Sequence, residues 1–497
     1  MRQGYGGAIL GAGVRIADRT RASWLALATI GFAGLAVLFL SWPLYRIFLP
    51  LEVFTNEPWN AWQTVRAMGH GPLYPRPDDL TANNYPPLYF YLVGLLSLFT
   101  GDIIITGRFI SLAATLGVAL ATAGCLRQLG VSRAASAFAA TWLFATLVRH
   151  YENYVGMNDP HLLALVIMTG ALGWFLALHR DSRATEPALA LMVLAGFFKH
   201  SLWAVPTTAL LWLALHDARR ALKAALFSAA LAATGVFACL ALWGTDFYWS
   251  MMAPRMVTLK RGFVMLGRLQ MIAPALIIWG FWFHAHRKSH VACFSALFLG
   301  VAFVVYFTQS MGQGVTINAQ FELIVATTIG LGLAVDNIGA VQLARRIGLG
   351  RARNWLVGLL VVRLLASTHF EPFQILTSPA YRSAIADQVA VTEAEIARIR
   401  ALPDPVFCSI GTVCFRAGRS FAYDEFLIGQ RLVTGTWSEA QLRKTIEQHA
   451  VRLETVDQRA EWDRTIPAIF RFGRLRERQS RSANCGSNSA LAGECNR

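Results

Sequence analysis

Residues 86–101 read PPLYFYLVGLLSLFTG, and whether this stretch crosses a lipid bilayer decides how the whole chain is threaded. Its apolar part holds only about 15 residues, short of the roughly 20 that a spanning helix needs. That length suits a segment lying at the membrane interface or re-entering it.

The rest of the chain supplies the membrane. Of 497 residues, 55% are hydrophobic and only 15% charged, and the mean hydropathy is +0.44. A soluble domain carries about a quarter of its residues charged. Longer apolar runs fall near 24–49, 104–127, 133–151, 160–179, 185–199, 201–216, 221–244, 268–285, 290–309, 316–336 and 353–367. The expected fold is therefore an all-α polytopic membrane protein of about 11 transmembrane helices plus interfacial helices. No small-residue cleavage site follows the first run, so it is expected to be a retained helix.

Charge chooses the orientation. With a cytoplasmic N-terminus and 86–100 not spanning, 17 Lys and Arg fall on inside segments and 11 on outside ones before residue 367, the sign that the positive-inside bias demands. Were 86–100 to span, Arg127 through Arg353 would move 13 positive charges to the wrong side. The net charge of +16 is thereby explained by inner loops, and no nucleic-acid partner is expected. The reading divides the chain into a basic cytoplasmic segment 1–23, a membrane domain 24–367 with an outer loop 50–103, a periplasmic domain 368–480 and a disordered tail 481–497.

The 368–480 segment has ordinary polarity, strand-like runs "PVFCSI" and "VRLETV", and helical patterns near 384–401 and 438–449, the second opening on Ser438 as a cap. A small α/β extracytoplasmic domain is expected. Cys408 and Cys414 flank Gly411; a disulfide between them would agree with an oxidising compartment, and two free thiols on neighbouring strands are the alternative. Cys125, Cys239 and Cys293 lie in apolar runs as small hydrophobes. Cys485 and Cys495 lie in the Ser/Asn/Gly-rich tail.

The chain has no Walker loop, no GxGxxG after a strand, no HExxH and no CxxC. Ionisable residues near lipid are then the candidates for chemistry. Glu57, in "TNEPWNAW", stands among Asn56, Asn60 and two tryptophans; it is either a general base in a partly dry cleft or a carboxylate capping a juxtamembrane helix. Asp159, in "YVGMNDPHLL", is either a second site carboxylate on the same outer face or an ordinary helix start before Pro160. Lys199, with His200 beside it, suits a lipid-linked phosphate or snorkels to headgroups. Arg108, Arg255, Lys260 and Arg261 are positive charges on the wrong side of the charge bias, which favours phosphate binding. Glu322, in "TINAQFELIV", faces the bundle interior, as site residue or as polar glue. The inner "HAHRKSH" run of His284, His286 and His290 reads as a basic helix end more readily than as a metal site.

Together "NEPWNAW", "NNYPPLYFYLVGLL", "GRFISLAATL", "GMNDPHLL" and "GFFKHSLWAVP" resemble, in order, the GT-C class of integral-membrane glycosyltransferases, in particular bacterial relatives of protein mannosyltransferase and lipid A aminoarabinose transferase. The resemblance covers residues 24–340. It implies a transferase that moves a sugar from a polyprenyl-phosphate carrier to an envelope glycan, lipid or protein acceptor at the outer face of the bacterial cytoplasmic membrane. It implies Glu57 and Asp159 as catalytic carboxylates, with Asn56 standing where relatives often have Asp. Substrate contacts are expected from Asn56, Asn60, Tyr85, Arg108, Lys199, His200, Arg255, Lys260, Arg261 and Glu322. Tyr85 precedes the two prolines where some relatives have Lys. Several relatives use a divalent metal ion, so one is an open expectation here. A transporter or flippase of lipid-linked saccharide is the competing reading. No internal repeat supports it.

Overall fold

The computed structural model describes residues 6–181, 183–367 and 369–456. The expected tail 481–497, with Cys485 and Cys495, lies outside them, as does the end of the expected 368–480 domain. The membrane part begins with α1 (Gly6–Arg46), α2 (Asn56–Ala67), α3 (Leu88–Thr100), α4 (Ile103–Gln128), α5 (Arg133–His150) and α6 (His161–Arg180). It continues through α7 (Glu186–Gly196), α8 (Ala204–His216), α9 (Ala218–Met251), α10 (Leu259–Met265), α11 (Ala273–His286), α12 (His290–Ser310), α13 (Phe321–Asp336), α14 (Gln342–Ile347) and α15 (Leu349–Leu365).

Among the described residues, six stretches are long and apolar enough to cross a membrane: Trp24–Arg46 within α1, then α4, α6, α9, α12, and Ile317–Asp336 around α13. The pair Leu259–Met271 and Ala273–His286, bent by 80°, makes a seventh if taken as one broken span. The chain is a multi-pass membrane protein. The remaining expected spans are also helical, but α7 has 11 residues and α8 has 13. At 1.5 Å per residue each covers about 16–20 Å, too little for a hydrocarbon core of about 30 Å. The break between them, residues 197–203, carries Lys199.

The segment that decided the threading forms α3, 13 residues ending at Gly101, whose φ of +75° closes the helix in the left-handed region. Leu98 and Phe99 on it are exposed while Tyr89 and Phe90 are buried, as suits a helix lying between lipid and protein.

Polar side chains start the helices where the backbone needs acceptors. Asp102 accepts from the Ile105 N–H, Ser132 from Ala135, Asp217 from Arg220 and Ser289 from Ala292. At the centre stands α13, buried along nearly its whole length. It packs against α4, α5, α11 and α12. Small residues permit this: a Cβ on Gly332 would come within 2.6 Å of Leu126 Cδ2.

Beyond α15 come α16 (Glu371–Thr377), α17 (Pro379–Arg400), β1 (Val406–Cys408), α18 (Gly411–Arg416), α19 (Glu425–Val433), α20 (Glu439–Gln448) and β2 (Arg452–Glu454). The strands pair in parallel, Val406 opposite Arg452 and Cys408 opposite Glu454. Both lie within the runs expected to be strands, and Ser438 caps α20 in a capping box. Cys408 and Cys414 are disulfide-bonded, with Cys414 on α18 rather than on a neighbouring strand. The segment after residue 367 packs on the membrane part. Ile375 and Ile385 share a buried cluster with Trp42 and Leu51, and the tail unit seats itself on the outer loop.

Candidate functional site

The α2 helix carries Asn56, Glu57 and Asn60 on one side. Glu57 is fully buried, and both its oxygens are gripped by Arg108 of α4, at 2.7 Å from Nε and 2.6 Å from an Nη. The Val53 N–H and the Asn158 N–H also donate to it. Arg108 places its other donors on the carbonyls of Arg46, Ile47, Leu49 and Leu51. Every guanidinium N–H is engaged inside the protein and the side chain is 0% exposed. This corrects the expectation of Arg108 as a substrate contact: a burial that complete leaves no donor for a ligand. Its role is to tie the α1–α2 connection to α4.

Asn158 organises the neighbourhood. Its backbone oxygen accepts from Asn60 Nδ2 at 2.8 Å, and its side-chain oxygen accepts from Tyr89 O–H at 2.7 Å. Gly107 makes room for it, since any Cβ there would overlap the Asn158 amide. Sequence reasoning passed over Asn158 because it is uncharged; its place in "ND" before Asp159 was the available signal.

Asp159 lies in the loop before α6, 2% exposed. Its Oδ1 accepts from the His161 N–H at 2.9 Å, while Oδ2 is buried with no well-aligned hydrogen bond. Burial pushes this carboxyl above the usual range, opposed by the Lys199 ammonium, the His161 N–H, and the amides of Asn60 and Asn56. Lys199, 4% exposed, sets its ammonium 3.1 Å from the centroid of the Tyr85 ring. Burial, with Asp159 close by, pushes the Tyr85 phenol up, keeping it a neutral donor. Tyr85 is half-buried and His200 exposed beside it, their rings 6.4 Å apart. Arg255, also half-buried, is near enough to couple electrostatically to Tyr85, Lys199 and His200. The structure thus gathers Asn56, Asn60, Tyr85, Asp159, Lys199, His200 and Arg255 from five separate segments. Tyr154 and His161, which sequence reasoning missed, pack alongside.

Three expected contacts fall elsewhere. Glu322 of α13 accepts from the N–H groups of Trp203, Ala204 and Val205 at 2.9–3.0 Å. It corrects to a cap on α8, with both oxygens taken by backbone donors at a helix start. Arg261 donates to the carbonyls of Gly312 and Val315, a corrected role in fixing its own loop. Lys260 is exposed and has no contact with the Asp159 group.

The tail unit covers this face. Asp424 Oδ2 accepts from Trp59 Nε1 at 2.8 Å, the Arg419 carbonyl from Trp62, and Glu52 from the Thr412 N–H. Gln430 accepts from the Met256 N–H, one residue past Arg255.

The chain is similar to ArnT from Cupriavidus metallidurans bound to undecaprenyl phosphate, with a TM-score of 0.53 and 14% identity over 86% of this chain and 90% of that one. The apo state of that protein matches with a TM-score of 0.53 and 14% identity over 81% and 88%. The Archaeoglobus fulgidus oligosaccharyltransferase tethered with an acceptor peptide matches with a TM-score of 0.50 and 12% identity over 86% and 68%. The fold is GT-C. No family model and no curated protein matches the chain.

Within this GT-C fold, one set of metal-type ligands gathers that shares no residue with the Asp159 group. Glu152, His369 and Glu371 bring their ligand atoms within 4.8 Å of one another, with His369 Nδ1 at 3.6 Å and 3.5 Å from the two carboxylates. At the Asp159 group itself one carboxylate faces an ammonium, and Glu57 is already neutralised by Arg108. That donor set does not fit a divalent ion.

Proposed function

We propose that this chain transfers a sugar from a polyprenyl-phosphate carrier to an acceptor at the outer face of a bacterial cytoplasmic membrane. The observation that carries the reading is Asp159 with a buried, poorly matched oxygen beside the buried ammonium of Lys199, in a chain of GT-C fold. The undecaprenyl phosphate of the Cupriavidus protein gives the carrier class.

The chemistry follows from the charges. The bond from the anomeric carbon to the carrier's phosphate oxygen breaks, and the acceptor's oxygen or nitrogen takes that carbon. The departing phosphate gains negative charge, which Lys199 and Arg255 stabilise. Asp159 accepts or orients the proton leaving the acceptor, a task suited to a carboxyl whose proton affinity is raised. Tyr85 holds Lys199 in place through its ring. Asn56 and Asn60 orient Asp159 or the acceptor. Glu57, paired with Arg108, holds α2 and its asparagines in position.

The test uses purified protein, a radiolabelled polyprenyl-phosphate sugar and envelope acceptors. Wild type should transfer label, and Asp159→Asn and Lys199→Ala should each lower the rate by about 10²–10⁴. Undiminished transfer in both variants rejects the assignment. Movement of lipid-linked sugar across vesicles with no transfer or hydrolysis would establish a transporter instead.

A further inference from the structure

At the far end of the bundle from this site is a cavity of about 630 Å³ between the end of α11 and the 340–346 segment. Its position is fixed by α12, which starts beside it at His290 and ends at Ser310, where the next residues bond to Thr258 and Arg261 on the site side. Twenty-one residues of helix span about 31 Å, the thickness of the hydrocarbon core. The cavity therefore opens at the opposite membrane surface, the inner one if the site is outside.

The lining is cationic. His284, His286, Arg287, Lys288, Arg345 and Arg346 contribute to it, and no carboxylate does. Capping of helix ends accounts for part of this: His286 Nδ1 sits 2.9 Å from the Trp282 carbonyl and Arg345 donates to the Ala340 carbonyl at 3.0 Å. It does not account for Arg287, Lys288 and Arg346, whose side chains make no hydrogen bond or ion pair among the described residues. Apart from Ser289 and Gln342, the remaining wall is apolar, with Phe281 50% and Leu343 43% exposed. An unneutralised cationic cleft with a greasy wall at the level of the headgroups matches a phosphodiester on acyl chains better than a free anion.

We propose that this cleft binds the phosphate headgroup of an anionic phospholipid, with Arg287, Lys288, Arg345 and Arg346 around the phosphate and Phe281 and Leu343 against the first acyl carbons. The site is independent of the transferase reading.

The test is native mass spectrometry of the full-length protein released from bilayers of equal phosphatidylglycerol and phosphatidylcholine. Wild type should retain phosphatidylglycerol selectively. Each neutralised cation should lower that selectivity about five-fold, read in Lys288→Gln with Arg346→Gln and then in the fourfold Gln variant. These side chains are exposed, so elution volume and melting temperature should stay at wild-type values. The two-residue variant keeps the test decisive if the fourfold one fails to fold. Equal retention of the two lipids by wild type, or unchanged selectivity in the two-residue variant, overturns the proposal. Displacement of the lipid by millimolar inorganic phosphate would reassign the cleft to soluble anions and also overturn it.

Discussion

Arg108 holds both oxygens of Glu57, at 2.7 and 2.6 Å, across a sequence separation of 51 residues and with neither side chain exposed. The pair fastens α2 to α4 at the level where Asn158 and Asp159 enter, so the geometry of the candidate site depends on it.

Removing one partner leaves the other charge buried and alone. Arg108→Met should cost about 3–5 kcal/mol of stability, and Glu57→Gln with Arg108→Met together should cost less than Arg108→Met alone. Melting temperatures in detergent, compared as a double-mutant cycle, measure the difference. A loss in the double variant equal to the sum of the two single losses would show that the pair is not coupled.

Glu322 should act on the Lys199 loop through α8. Glu322→Ala removes acceptors from three backbone N–H groups and should lower stability by about 1–2 kcal/mol, as loss of a helix cap does. If the cap also positions Lys199, KM for the lipid-linked donor should rise more than kcat falls, with Glu322→Gln recovering part of the effect. A fall in kcat alone would place Glu322 in the chemistry.

Asp424 gives the tail unit a pH dependence of defined sign. Burial pushes its carboxyl up to about 6, against hydrogen bonds from the Leu427 N–H and Trp59 and the charges of Arg431 and Arg66. A raised carboxyl binds its proton more tightly folded than unfolded. Its contribution is complete below the unfolded value near 3.8 and is lost as pH rises through about 6. The slope attributable to this residue is at most about 1.4 kcal/mol per pH unit. Limited proteolysis of the tail unit between pH 4.5 and 7 should show this trend in wild type, and Asp424→Asn should flatten it.

The Cys408–Cys414 bridge closes a short loop. By chain entropy it should contribute about 2 kcal/mol to the tail unit. Cys408→Ser with Cys414→Ser should therefore make residues 379–456 more protease-sensitive while leaving the membrane helices intact. In intact cells both thiols should resist alkylation until a reductant is added, as expected for an outer location.

Much of the site was legible where charge made it so. Asp159, Lys199 and Arg255 stood out because ionisable groups beside apolar runs are costly. Asn158 and Tyr89 did not, since a neutral amide and a phenol next to lipid-facing sequence look like any others. Glu57 and Arg108 are each legible as charges beside apolar runs, but their union is not, because a pairing across 51 residues has no local signature. Glu322 was legible as a buried carboxylate; that its partners are backbone N–H groups of another helix was not.

By itself the sequence determined the membrane class, the helical segments, the short apolar α3 and the strands of the tail unit. Hydrophobic length and periodicity are local properties of a chain. Only the tertiary structure decided which charges cancel one another and which stay available. That depends on Gly107 and Gly332 letting helices approach, and on a short α7 and α8 setting Lys199 against Tyr85 beside Asp159. It also depends on the tail unit folding back over α2. Each is a long-range contact between distant segments, held by close packing and hydrogen bonds among the membrane helices and by excluded water where the tail unit meets the outer loop, and no window of sequence contains both sides.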